Sequence, residues 1–323
     1  MTHKIILDTD PGIDDAMAIL FAEAHPAIDL LAITTVFGNA TIENGTRNAL
    51  WLKQKYGMKA DVARGAAAPL LREPVGPTTV VHGPSGLGDV EAGEVTLTPD
   101  PRPAWQYIVE TLKANPGEIT LVTIGPLTNL ALALEAAPEV AALVKEVVVM
   151  GGAFGVNGHR GNVTPYAEAN IHDDPEAADR VFTAPWPVVI IGLDVTQQSF
   201  FSSAYLDALR DDAGEPGRFL WAVSRFYLRF YSERIGLNGC HVHDPSAIAY
   251  VIDPALFTLR KGPVRVITEG PAIGHTLQKF DDTRHPHDEW ADCPAQQVGV
   301  AVRDQALLAL YRDTLVAWGK GRR

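Results

Sequence analysis

Near the N-terminus, the run Asp8-Thr9-Asp10-Pro11-Gly12-Ile13-Asp14-Asp15 packs four carboxylates into eight residues. Asp8 and Asp10 stand two apart, so they share a side if a strand persists through them. Pro11-Gly12 then turns the chain. Asp14 and Asp15 fall at the start of the next helix, where the macrodipole favours negative charge. One reading is a helix cap with a solvated turn. The other is a cation site, because like charges this close repel unless something cancels them. Carboxylates without Cys or His nearby favour a hard ion such as Ca2+ or Mg2+. Such an ion would hold a water and lower its pKa, and an adjacent Asp would take the proton as general base.

The elements that must position this cluster alternate. Buried strands are expected at residues 4–8, 29–37, 118–124, 146–150 and 187–193, and helices at 14–24, 43–56, 127–137 and 175–182. Repeated β-α-β units mean parallel strands with right-handed crossovers. The expected fold class is therefore α/β, a single-domain open, mostly parallel β-sheet flanked by helices, Rossmann-like in plan. In such sheets ligands bind beyond the carboxyl ends of the strands. The chemically loaded segments lie there: residues 8–15, Gly38-Asn39, Ile124-Gly125-Pro126 and Met150-Gly151-Gly152.

Two regions depart from the alternation. Residues 66–103, rich in Gly, Pro and Thr, read as a long loop with at most a short strand, and loops of this length are often functional. Residues 214–231 read as an apolar, aromatic helix containing Phe219, Trp221, Phe226, Tyr227, Phe230 and Tyr231, with Trp221 expected in the core. No linker, repeat or composition break divides the chain, so one domain over residues 1–323 is expected.

Bulk properties narrow the partners. The chain has 323 residues, 46% hydrophobic and 20% charged, and a formal net charge of −12. That charge argues against a nucleic-acid partner, which needs a basic patch. It suits a neutral small molecule or a cation. Cys240 and Cys293 alone make neither a disulfide framework nor a zinc site. There is no signal-peptide pattern and no apolar run of membrane-spanning length, so a cytoplasmic protein with no membrane partner is expected.

The acidic run resembles the N-terminal signature of the inosine-uridine preferring nucleoside hydrolases. Further stretches are similar to that family in the family's order: Thr34-Thr35-Val36-Phe37-Gly38-Asn39, then His82-Gly83 with Gly86-Leu87-Gly88, then Gly125-Pro126-Leu127-Thr128-Asn129-Leu130-Ala131. Met150-Gly151-Gly152-Ala153-Phe154, Ala167-Glu168-Ala169-Asn170, Asp174-Pro175-Glu176-Ala177-Ala178 and His243-Asp244-Pro245 complete the set. The resemblance covers about residues 5–251; the C-terminal part matches loosely.

This resemblance implies a nucleoside hydrolase fold and cleavage of the N-glycosidic bond of ribonucleosides, in purine or pyrimidine salvage, with Ca2+ as cofactor. Asp10, Asp15 and Asp244 would ligate Ca2+ through side chains and Ile124 through its carbonyl. Asp10 would also be the general base for the calcium-bound water. Asp14, Asn39 and Asp244 would hold the ribose 2′- and 3′-hydroxyls, with Asn39 beside Asp10 in the catalytic set. Asn162, Glu168 and Asn170 would hold the 5′ and 3′ side of the sugar, and Met150 would lie against it. A small-molecule ribonucleoside is the implied partner, and a homodimer or homotetramer the implied assembly. The chemistry agrees, because an oxocarbenium-like sugar is stabilised by nearby carboxylates and oriented by its bound hydroxyls.

The base side is less determined. His243, beside Asp244, is the leaving-group acid by resemblance; packing or orienting is its other reading. His82 would contact the base. His241 competes with His243 for the acid role, and His285 and His287 read as solvated. Tyr227 and Tyr231 share a helix face at i, i+4: either core, or a lid whose phenols stack on the base or pass it a proton. Ala169 stands where the family usually carries Phe, and residues 275–295 are longer and more polar than the family leads one to expect. A haloacid-dehalogenase-type phosphatase, a non-catalytic ribonucleoside-binding protein and a hydrolase of another ribosyl compound are the competing readings.

Overall fold

A computed structural model describes residues 2–322. The strands are β1 (His3–Thr9), β2 (Ile28–Thr35), β3 (Asp61–Arg64), β4 (Ile119–Thr123), β5 (Glu146–Met150), β6 (Val188–Ile191), β7 (Phe200–Ser202), β8 (Gly239–His241), β9 (Phe257–Val266), β10 (Thr276–Gln278) and β11 (Ala295–Val302). Nine of them form one sheet in the order β10-β9-β11-β6-β5-β4-β1-β2-β3, while β7 and β8 pair separately. From β3 across to β11 every neighbouring pair is parallel. Only β9 runs against its neighbours β11 and β10.

Strand side chains alternate between two cores, as the pleat requires. Ile5 and Leu7 of β1 enter one core and Ile6 the other; Val148 of β5 faces away from Val147 and Val149. The first core is closed by helices Ile13–Ala24, Gly214–Ile235, Asp244–Ile252 and Asp304–Gly321. The second is closed by Ala104–Ala114, Thr128–Ala136 and Pro175–Thr183. Each such buried Val, Ile or Leu contributes about 1.5–3 kcal/mol.

The strand order reverses at β1 and β4: β2 and β3 lie to one side, β5 and β6 to the other. The crevice outside the carboxyl ends at such a switch point is where open α/β sheets bind ligands. β1 ends at Thr9 and delivers Asp10 there; β4 ends at Thr123 and delivers Ile124.

All five expected strands and all five expected helices are present with shifted ends. The 66–103 stretch carries a one-turn helix, Thr79–His82, rather than a strand, and its strand-like contact is a lone bridge from Asp100 to Ala63. Trp221 departs from its expected place. It is half-buried, donates its indole N–H to Asp207 at 2.7 Å, and packs between Arg210 and Arg225. The indole N–H needs a partner, and an exposed Asp supplies it outside the core. In the polar 275–295 segment, β10 pairs with β9, and His285 and His287 are exposed as expected. Among the described residues no helix is long and apolar enough to cross a membrane.

Candidate active site

β1 stops at Thr9 because Pro11 cannot donate to a ladder, and the helix Ile13–Ala24 begins two residues later. Asp14 and Asp15 therefore occupy its first turn, as the sequence indicates. The Asp15 carboxylate is fixed three ways. Thr9 Oγ1 donates to its Oδ1 at 2.5 Å, and the Gly12 N–H and Asn39 Nδ2 donate to its Oδ2 at 2.8 and 2.9 Å. Asp10 Oδ2 accepts the Asn39 N–H at 2.7 Å.

Glycines make room for these contacts. A Cβ at Gly38, whose φ is +150°, would lie 2.1 Å from Asp10 Oδ2; one at Gly125 would lie 2.7 Å from Asp10 Oδ1. Both are impossible approaches, so glycine is required for Asp10 to stand where it does.

Carboxylate oxygens of Asp14, Asp15 and Asp244 lie within 4.8 Å of one another, and all three residues are buried. Asp10 adjoins this trio through Asp15. Asp244 arrives from far along the chain, in the first turn of helix Asp244–Ile252. Burial, then the charge of Asp15, pushes Asp10 well above the usual carboxylate range. Burial, then the charges of Asp14, Asp15 and Asp10, does the same to Asp244. Burial lifts Asp14 to about 6. Asp10 Oδ1 and Asp14 Oδ1 are buried with no hydrogen-bond partner among the described residues. Buried oxygens without donors are costly, and a cation satisfies them all at once. An all-oxygen set suits a hard divalent ion. Asp8 stands apart from this trio: its Oδ1 accepts from Thr34 Oγ1 at 2.5 Å and Asn129 Nδ2 at 2.8 Å, while its Oδ2 is also buried without a partner among the described residues.

Beside the carboxylates lies a cavity of about 320 Å³, lined among others by Asp14, Asn39, Ile124 and Asp244. Met150, Asn162, Glu168 and Asn170 form its next wall. Glu168 caps the helix Ala169–Asp173, accepting from the N–H groups of Asn170, Ile171 and Gly152 at 3.0, 3.2 and 2.9 Å. Burial still raises its carboxyl to about 7. Asn170 Nδ2 donates to the carbonyls of Ile124 and Met150, each at 3.1 Å, so that Ile124 carbonyl faces the polar site while its side chain stays in the core. Asn162 is exposed at the mouth and accepts the Ala169 N–H at 3.0 Å.

The opposite wall is aromatic. Tyr227 and Tyr231 are both almost fully buried and line the cavity, so the core and substrate-facing readings hold together. Tyr227 donates to Asp14 Oδ2 at 3.3 Å, its hydroxyl meets that of Tyr231 at 3.5 Å, and Tyr231 meets His243 Nε2 at 3.0 Å. Thr196 Oγ1 closes the chain on His243 Nδ1 at 2.8 Å. Burial, then the neighbouring His241, pulls His243 down to about 3, so its imidazole is neutral. His82 is likewise neutral: burial pulls it to about 4, and its Nδ1 accepts the Ile13 N–H at 3.1 Å. A Cβ at Gly12 would sit 2.6 Å from that Nδ1.

Every residue assigned to the substrate from sequence lines this one cavity, together with His241, His243 and Ile124. Asp10 and Asp15 lie behind its wall. Thr196, Gln197, Val81 and Ile235 also belong to the site and carry no motif. Their signal is positional: Thr196 and Gln197 follow the carboxyl end of β6, the rule that located the other segments.

A buried carboxylate cluster at the switch point of a parallel sheet, opening on a cavity lined by carboxylates and amides, is the site of an α/β enzyme acting on a small polar molecule. The profile described as inosine-uridine preferring nucleoside hydrolase matches residues 5–309. The chain is 39% identical to a probable uridine nucleosidase 1 of Oryza sativa subsp. japonica over 97% of each chain. It is 40% identical to the inosine-uridine preferring nucleoside hydrolase of Crithidia fasciculata, over 89% of this chain and 91% of that one. A solved plant nucleoside hydrolase superposes with a TM-score of 0.95 at 37% identity, covering 98% of this chain and 100% of that one. The chain belongs to the inosine-uridine preferring nucleoside hydrolase family, and is an enzyme that hydrolyses ribonucleosides to ribose and free base.

Proposed function

We propose that this one-domain enzyme cleaves uridine and inosine with Ca2+ as its cofactor and Asp10 as general base. The carrying observation is the convergence of Asp14, Asp15 and Asp244 within 4.8 Å, beside an Asp10 oxygen that no donor satisfies. Asp10, Asp15, Asp244 and the Ile124 carbonyl would hold the ion. When bound, Ca2+ supplies a place for water and sugar hydroxyls and lowers the pKa of that water.

Asp10 accepts the water's proton on Oδ1 while its Oδ2 stays on the Asn39 N–H. Asp14, Asn39 and Asp244 take the 2′- and 3′-hydroxyls; Glu168, Asn162, Asn170 and Met150 flank the rest of the sugar. These carboxylates stabilise the positive charge that develops as the bond to the base breaks. On the aromatic wall His82 contacts the base. His243 is its acid, the proton that the neutral imidazole gives up being replaced from the Tyr231 hydroxyl at its Nε2, with His241 as neighbour rather than donor. Relatives named for uridine and for inosine-uridine support these two substrates. The proposal extends to a cytoplasmic homodimer or homotetramer acting in nucleoside salvage.

The test is a kcat/KM panel over inosine, uridine, cytidine, adenosine and their 2′-deoxy forms, with metal-stripped and Ca2+-reloaded protein. Base release from ribosides only, lost with EDTA and restored by Ca2+, is expected. Full activity in metal-free protein refutes the cofactor, and equal cleavage of deoxy forms refutes the diol contacts.

A further inference from the structure

The wall that carries His243 is built by the segment leaving β6. The chain turns there into the short helix Leu193–Thr196, whose Thr196 hydroxyl meets His243 Nδ1. The next residue, Gln197, lines the same cavity beside His241 and His243. Its Oε1 lies 2.9 Å from Nδ1 of His159, which ends the turn Val156–Gly158. A glutamine amide offers one carbonyl acceptor and two N–H donors. With the His159 Nδ1–H donating to Oε1, the amide –NH2 is the part left for the cavity. On the same wall, His241 Nδ1 is buried without a partner among the described residues. The sugar-binding carboxylates do not compete for Gln197, since Glu168 is engaged by three backbone N–H groups and Asp14 by Tyr227.

The geometry points to Gln197 as a specificity-determining residue whose amide –NH2 donates to a ring carbonyl of the departing base, with His159 as the positioning residue that keeps the amide from turning over. This rests on the ribonucleoside hydrolase reading and adds to it what selects the base. As the glycosidic bond breaks, its electron pair moves onto the base, and charge builds on that carbonyl. A fixed donor there strengthens in the transition state. Uracil and hypoxanthine present a carbonyl. Adenine presents an amino group, which would leave donor facing donor.

The experiment measures kcat/KM for uridine, inosine and adenosine on the full chain with Ca2+, for the parent and for Gln197→Glu, Gln197→Met and His159→Ala. Calorimetric Ca2+ affinity checks in each variant that the site still folds. Both Gln197 variants are expected to lower the uridine-to-adenosine ratio about 10-fold, and His159→Ala about 3-fold in the same direction. Equal losses on all three substrates would give the amide a sugar-side or structural role and overturn the proposal, as would an unchanged ratio. A ratio moved by Gln197 but not by His159→Ala would remove the positioning role. A parent protein that releases no base from any of the three refutes instead the hydrolase reading beneath.

Discussion

The two halves of the cavity are held by different kinds of structure. On the sugar side, the carboxylates stand at strand ends and in first helical turns, fixed by backbone N–H groups and by the Thr9 and Asn39 side chains. On the base side, Tyr227, Tyr231, Phe230 and Ile235 come from one long helix, His241 ends β8 of the small β7–β8 pair, and His243 follows it. There the links are side chain to side chain, through a phenol–phenol–imidazole chain. The first half cannot move without disturbing the main sheet. The second can be repacked residue by residue, so with the proposed roles reaction type would belong to the first half and substrate choice to the second.

The comparison breaks if a sugar-side change is mild. Asp10→Ala should lower kcat/KM by about 1,000-fold or more, with every base affected alike. Its metal-free melting temperature should hold or rise, because the variant no longer buries that carboxylate, with one oxygen unpartnered, beside Asp15. A mutant with near-parental kcat would remove Asp10 from its role.

A base-side change should be smaller and substrate-dependent. His243→Ala should cost inosine about 100-fold and p-nitrophenyl riboside far less, since that leaving group departs unprotonated. Equal losses on both would leave His243 an orienting residue.

The mildest effect is on stability. Asp14 carries its proton up to about pH 6 in the folded protein, above the roughly 4 expected unfolded. Between those values the folded state binds more protons, so in metal-free protein this group's contribution to stability falls as pH rises through that window. Calcium requires the ionised carboxylates and opposes that loss. The gain in melting temperature on adding Ca2+ should therefore be larger at pH 8 than at pH 5, by a few degrees in scanning calorimetry. A gain independent of pH would separate the ion from these carboxylates.

Legibility followed the same division. β1, β2, β4, β5 and β6 read directly, because strands buried on both faces are continuous runs of Val, Ile and Leu. The acidic run read as a cation site because four like charges so close call for something to cancel them. Asp244 came only through the family resemblance, since nothing local ties it to residues far upstream. β9 to β11 and the helix Asp304–Gly321 went unread: β9 is half-exposed and broken by Gly262-Pro263, which weakens its alternation. Gln197 went unread because a single polar residue after a strand has no pattern; only the fold places it at the cavity.

One feature of the sugar side concerns residues that carry no charge at all. Because Gly38 and Gly125 press directly on the two oxygens of Asp10, the smallest side chain at either position would displace the carboxylate proposed as general base. A single added methyl would then silence the enzyme while its composition of acids, amides and imidazoles stayed intact. Inactive variants of this kind would pass any inspection confined to polar groups.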